Sequence, residues 1–151
     1  MSAPSMRLVH ALLGKSIAET ILLGGLAISF FFVAFPPHFR GWGEATPQGI
    51  AGWAINSSAP GQRVQVQLFI DDRFVSSAVA NTYRPDVREA GWAPDDWHGY
   101  SFVLPSLPAG PHIARIYALH ESGGGARQTL LLLGDPIHFV TDQSGAISAS
   151  K

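Results

Sequence analysis

Two hydrophobic patterns divide the chain. The first is a continuous apolar run, IAETILLGGLAISFFFVAF from Ile17 to Phe35, with Glu19 as its one charge. At about 1.5 Å rise per residue such a run reaches roughly 28 Å, close to the ~30 Å hydrocarbon core of a bilayer. The pattern predicts one transmembrane helix over residues 17–36, stopped by Pro36 and Pro37, which lack donors and force the preceding residue out of helical space. A secretory signal peptide is the alternative reading. Against it, the apolar run outlasts an ordinary signal core, and no small-x-small cleavage site follows it directly. Met6–Leu13 extends the helix as an interfacial segment.

The second pattern is alternation. From Arg63 to Ile70, Val64, Val66, Leu68 and Ile70 fall on one face with Gln65 and Gln67 opposite, the period of a half-buried strand. Asp71-Asp72 makes a turn, and Phe74–Ala80 returns. Gly49–Ile55, Tyr100–Leu104, His112–Leu119, Arg127–Leu133 and Ile137–Thr141 read as further strands, separated by Pro- and Gly-bearing turns. About seven short strands without helical periodicity predict an all-β fold, an immunoglobulin-like antiparallel β-sandwich preceded by one N-terminal transmembrane helix. The expected organisation is a cytoplasmic or interfacial segment (1–16), the transmembrane helix (17–36), a linker (37–45), the sandwich (46–141) and a flexible tail (142–151).

Charge refines this picture. Of 151 residues only 14 % are charged, against about 25 % in ordinary domains. Ten basic residues oppose eleven acidic ones, too balanced for a nucleic-acid binder. Without cysteine, disulfides, thiolate zinc sites and thiol nucleophiles are excluded. Arg7 and Lys15 precede the apolar run and only Arg40 closely follows it, so the positive-inside rule puts the amino terminus in the cytoplasm. The expected location is a bacterial inner membrane with the sandwich in the periplasm.

Gly25 and Ser29, four residues apart, make a small-residue face where another helix could approach, and Phe30, Phe31 and Phe32 surround it with aromatic bulk. These five are the candidate helix-packing interface, against ordinary roles as membrane-helix and interfacial-belt residues. The segment Asn81–His98 is the longest without strand rhythm, and long loops in compact domains are often functional. It carries Trp92, Asp95, Asp96 and Trp97, which could grip a sugar or, with Asp86 and Glu89, a calcium ion. The blander reading has the tryptophans capping the sandwich. Arg84 and Asp86, across Pro85, are expected to form a structural ion pair.

Catalytic signatures are scarce. No nucleophile elbow is present, and Gly123-Gly124-Gly125 lacks the Lys-Ser/Thr of a phosphate loop. The six histidines fall at no i, i+2 or i, i+4 spacing that would aim two at one metal ion, and His10 is better placed for headgroups than for a tetrapyrrole. No enzyme activity, metal or cofactor is expected.

The segments Gly52-Trp-Ala, Val64–Asp71, Ala80-Asn-Thr-Tyr-Arg-Pro-Asp-Val87, Gly99-Tyr-Ser-Phe-Val-Leu-Pro105 and Gly110-Pro-His112 together resemble a bacterial immunoglobulin-like accessory module. In that pattern Arg-Pro-Asp-Val precedes a Gly-aromatic strand, a Leu-Pro turn and a Gly-x-His strand. The resemblance runs from about residue 48 to 120 and implies a non-catalytic sandwich of the kind found beside glycosyltransferase and other envelope-related domains. The functional expectation is an accessory or assembly subunit of a larger membrane complex, such as an energy-converting one, with other subunits and the bilayer as partners. The alternative is a membrane-anchored carbohydrate-binding module for envelope glycan.

Overall fold

The computed structural model describes residues 6–34, 38–122 and 124–149, apart from the side chains of residues 6–9, 11, 12, 30–34 and 122. Two compact units divide the chain, residues 1–36 and 37–151.

The first unit holds one helix, α1 (Met6–Ala34). Among the described residues, no helix is long and apolar enough to cross a membrane. This departs from the transmembrane expectation, and the composition of the described stretch accounts for it. Gly14, Lys15, Ser16, Glu19, Thr20, Gly24, Gly25 and Ser29 all dilute its apolarity. Its polar groups are partly neutralised within the helix. Lys15 and Glu19 pair one turn apart at 3.6 Å, and the hydroxyls of Thr20 and Ser29 each donate to the carbonyl four residues back. Of the expected packing interface, Gly25 lies in open space and Ser29 turns onto the Gly25 carbonyl. Phe30, Phe31 and Phe32 have side chains outside the described residues.

The second unit is mostly antiparallel β-structure in two sheets, as in a β-sandwich. Its strands are β1 (Phe39–Thr46), β2 (Gly49–Asn56), β3 (Gln65–Ile70), β4 (Arg73–Val79), β5 (Thr82–Tyr83), β6 (Trp97–Phe102), β7 (Gly110–Ser122), β8 (Arg127–Leu132), β9 (Ile137–Thr141) and β10 (Ile147–Ala149). A short helix, α2 (Pro85–Glu89), lies between β5 and β6. The first sheet runs β1-β2-β6-β5 and the second β10-β9-β7-β3-β4, with β8 beside the far half of β7. Inward residues of both sheets share one core. Ile50, Ala54, Tyr100 and Phe102 come from the first sheet, and Val66, Leu68, Ile116 and Phe139 from the second.

The long β7 serves two neighbours along one edge. Gly110–Ala114 pairs with β9 and Tyr117–Ser122 with β8. Between them the chain breaks at Gly134, whose φ of 63° suits glycine, and Leu133 enters the core.

Three strands and one helix lie beyond the alternation read from the sequence. The expected linker is β1: its inward positions include Gly41 and Gly43, while Trp42 faces out, so the hydrophobic pattern is inverted. The inward positions are small because Leu133, Ile137 and Tyr100 already occupy the space a side chain would need. The expected flexible tail forms β10, drawn back by Asp142, whose carboxylate accepts from the backbone of Ser144 and Ala146. The expected loop contains β5 and α2, and β6 begins at Trp97 rather than Tyr100.

Candidate functional site

The outer face of the first sheet collects the aromatic residues that the core leaves over. Trp42 on β1 sits opposite Trp53 on β2, which sits opposite Gly99 on β6, which sits opposite Thr82 on β5. Gly99 is required here, since a Cβ would lie 2.4 Å from the Thr82 hydroxyl and 2.6 Å from Arg84 Cγ. The segment 81–98 folds back over this face. Val87 of α2 and Ala93 bury against Trp53 and Ile55, giving the outer face a second small core.

Around that core four aromatics remain open: Trp42 is 45 % exposed, Tyr83 59 %, Trp92 39 % and Trp97 49 %. Trp92 stacks on Trp53 at 4.8 Å between centroids, and the Arg40 guanidinium lies 4.9 Å from the Trp92 ring. Tyr83 and Trp97 meet edge to face at 5.6 Å, where β5 pairs with β6.

The carboxylates singled out in the sequence are already engaged. Arg84 grips Asp86 with two bonds of 2.8 and 2.7 Å, which holds the Asp86 carboxyl below its ordinary range. Asp96 pairs with Arg88. Asp95 accepts from the Trp97 backbone N–H at 2.9 Å and from Arg63 at 3.0 Å, and these two bonds lower its pKa. Each acid of the segment except Glu89 therefore has a basic partner, and among the described residues no group of three His, Asp or Glu side chains converges as a metal site would need. The geometry makes these carboxylates ties that hold the segment down. Trp92 and Trp97 share the face with Tyr83 of the same segment and with Trp42 and Arg40 of β1, both within the stretch expected as a linker. In β1 the one local trace was a large side chain alternating with glycine, an inversion of the usual strand pattern.

His98 anchors the segment from beneath. Its side chain is fully buried, and its Nε2 lies 3.1 Å from Arg63 Nη1 and 3.3 Å from Asp95 Oδ1; a guanidinium can only donate, so a neutral ring accepts the closer bond at Nε2 and carries its proton on Nδ1. That Nδ1 has no partner among the described residues. Burial, reinforced by the Arg63 charge, depresses the His98 pKa. The folded state therefore disfavours protonation that the unfolded chain accepts near pH 6.5. The stability this contributes is present above that pH and is lost as the pH falls through the folded value. Lowering the pH from about 6.5 to about 5 should lower the urea midpoint of the intact protein, and His98→Gln should flatten that slope. Equal slopes in both proteins would contradict a buried neutral His98.

The fold and this face define the class as a two-sheet antiparallel β domain bearing an open aromatic surface and an N-terminal helix. No family model, curated protein or solved structure matches the chain.

Proposed function

We propose that this protein is a non-catalytic accessory subunit of a membrane complex, docking on a partner protein through the outer face of its first sheet. The observation that carries the reading is the gathering of Trp42, Tyr83, Trp92 and Trp97, half-exposed and flanked by Arg40, on one sheet face. Tryptophan, tyrosine and arginine are the residues that dominate binding energy at protein interfaces. An immunoglobulin-like sandwich held at a bacterial inner membrane, amino terminus inside, is part of the same proposal. It is supported by the two antiparallel sheets and by the single charge between Ile17 and Phe35. Ile17, Ile21, Leu22, Leu23, Leu26 and Ile28 are all exposed, and such a surface favours lipid or another helix over water.

The protein should migrate with a larger complex at fixed stoichiometry when native membranes are extracted in mild detergent. Trp42→Ala combined with Trp97→Ala should weaken that association by about tenfold or more, as loss of interface anchors does. Migration as a lone monomer, or indifference to both substitutions, would sink the proposal. A second reading, a glycan-binding module, rests on the Tyr83–Trp97 pair at the sheet edge, a stacking platform beside the Arg84 and Arg88 ion pairs. Retention on envelope glycan that disappears in Trp97→Ala would favour it.

A further inference from the structure

At the β3–β4 turn, away from the aromatic face, a cleft of about 450 Å³ opens beside the segment joining β6 to β7. That size is within the ordinary range of small-molecule sites, about 300–1,000 Å³. Ile70, Val75, Pro105, Leu107 and Pro108 make its walls apolar. Three charged groups line it as well, and two of them are committed. Asp71 accepts from His112 Nδ1 at 2.6 Å through one oxygen and from the Ile113 backbone N–H at 3.0 Å through the other. His112 in turn donates through Nε2 to the Pro108 carbonyl at 2.8 Å. Nearby Asp72 is paired with Arg115 at 2.5 Å. Arg73, the third, makes no side-chain hydrogen bond or ion pair among the described residues.

An apolar cleft with one uncommitted guanidinium at its wall suits an apolar body carrying one anionic head. Arg73 can offer a carboxylate two parallel N–H donors, while the walls remove the alkyl chain from water. We propose that this cleft binds a single-chain alkyl carboxylate, a free fatty acid, with its head on Arg73 and its chain between Val75 and Leu107. Asp71 feels the Arg73 charge as well as that of His112, but its two oxygens are taken by His112 and the Ile113 N–H, so the Arg73 donors stay open to a ligand head.

Photo-labelling of the full chain in a non-ionic detergent tests this, using a diazirine-bearing decanoate and the matching alcohol. The carboxylate should label peptides that contain residues 70–75 and 104–112, and the alcohol should not. Arg73→Gln should cut that labelling by about tenfold, the scale of one lost charge-assisted hydrogen bond, and Arg73→Lys should retain most of it. Circular dichroism of each variant confirms that the sheets are intact. Equal labelling by the alcohol would mean the cleft takes any alkyl chain and would overturn the role of the head. Labelling unchanged in Arg73→Gln, or absent from both segments, would overturn the site.

Discussion

Replacing Gly52 with alanine is expected to destabilise the sandwich by ~3 kcal/mol, the upper range for forcing atoms into a filled core. Gly43, Gly52 and Tyr100 form one row across β1, β2 and β6. The Tyr100 ring lies along that row over both glycines, and its hydroxyl donates to the Trp42 carbonyl at 3.2 Å. Burial raises the Tyr100 pKa, so the donor proton stays in place. A Cβ on Gly52 would stand 2.1 Å from the Trp42 carbonyl oxygen and 2.5 Å from the Tyr100 hydroxyl. Neither the sheet backbone nor a buried ring can move aside cheaply. Typical domains hold only about 5–15 kcal/mol of net stability, so much of it would be lost. Urea unfolding reads the effect directly. Tyr100→Phe, which removes one hydrogen bond and only the hydroxyl's volume, should cost only about 1 kcal/mol. An unchanged midpoint in Gly52→Ala would show that the ring does not lie over this glycine.

The second large effect is expected on raising the pH. His112 is held between two acceptors, the Asp71 carboxylate at 2.6 Å and the Pro108 carbonyl at 2.8 Å. Satisfying both requires a proton on each ring nitrogen, so the folded state holds an imidazolium. The hydrogen bond to Asp71, then that to Pro108, raises the His112 pKa above its ordinary value of 6.5. The same bond to His112, followed by that from Ile113, lowers the pKa of Asp71. A raised histidine contributes stability that is fully present below the unfolded value, near 6.5, and is lost as the pH climbs through the folded value. A lowered aspartate contributes stability present above its unfolded value of 3.8 and lost as acid protonates it. The clamp therefore works between those limits and fails first on the alkaline side.

Asp71 is 48 % exposed, so solvent screens part of the attraction, and about 2 kcal/mol is a reasonable expectation for the pair. Between about pH 6.5 and pH 9 the unfolding midpoint of the protein should fall, while that of His112→Gln should start lower and change little. Parallel curves would mean that His112 is neutral in the folded chain. With His98 opposing acid and His112 opposing base, greatest stability is expected between their two transitions. Release of Pro108 would also remove a wall of the cleft beside Arg73.

Much of the strand framework was open to reading from the residues alone. β2, β3, β4, β8 and β9 lie within a residue or two of the runs read from the residues. In β3 one buried face writes its period into the chain, whereas β2, buried almost throughout, and β8, mostly exposed, were delimited by the Pro- and Gly-bearing turns around them. β1 was hidden because its buried face is partly glycine and its large residue, Trp42, points outward. α2 was hidden by brevity, since five residues cannot display a helical period. The apolar run is helical as far as Ala34, yet among the described residues the helix does not reach the length and apolarity of a crossing helix.

Of the candidate site, Trp92, Trp97, Asp95, Asp96, Arg84 and Asp86 could be singled out by type and clustering. Their relations could not. Arg84 and Asp86 are two residues apart, and a local pairing of that kind is visible in sequence. Arg63 and Asp95 are 32 residues apart, and Trp42 meets Trp53 only through the register of β1 on β2.

The amino-acid sequence by itself determined that the chain is an apolar helix followed by an antiparallel β domain, because burial of one face imposes a local period. Only the tertiary structure decided which aromatic residues face outward together, which acids are spent on holding the fold, and that Arg73 faces an apolar cleft. Those outcomes depend on contacts between residues far apart in the chain, and no local pattern records a distant partner.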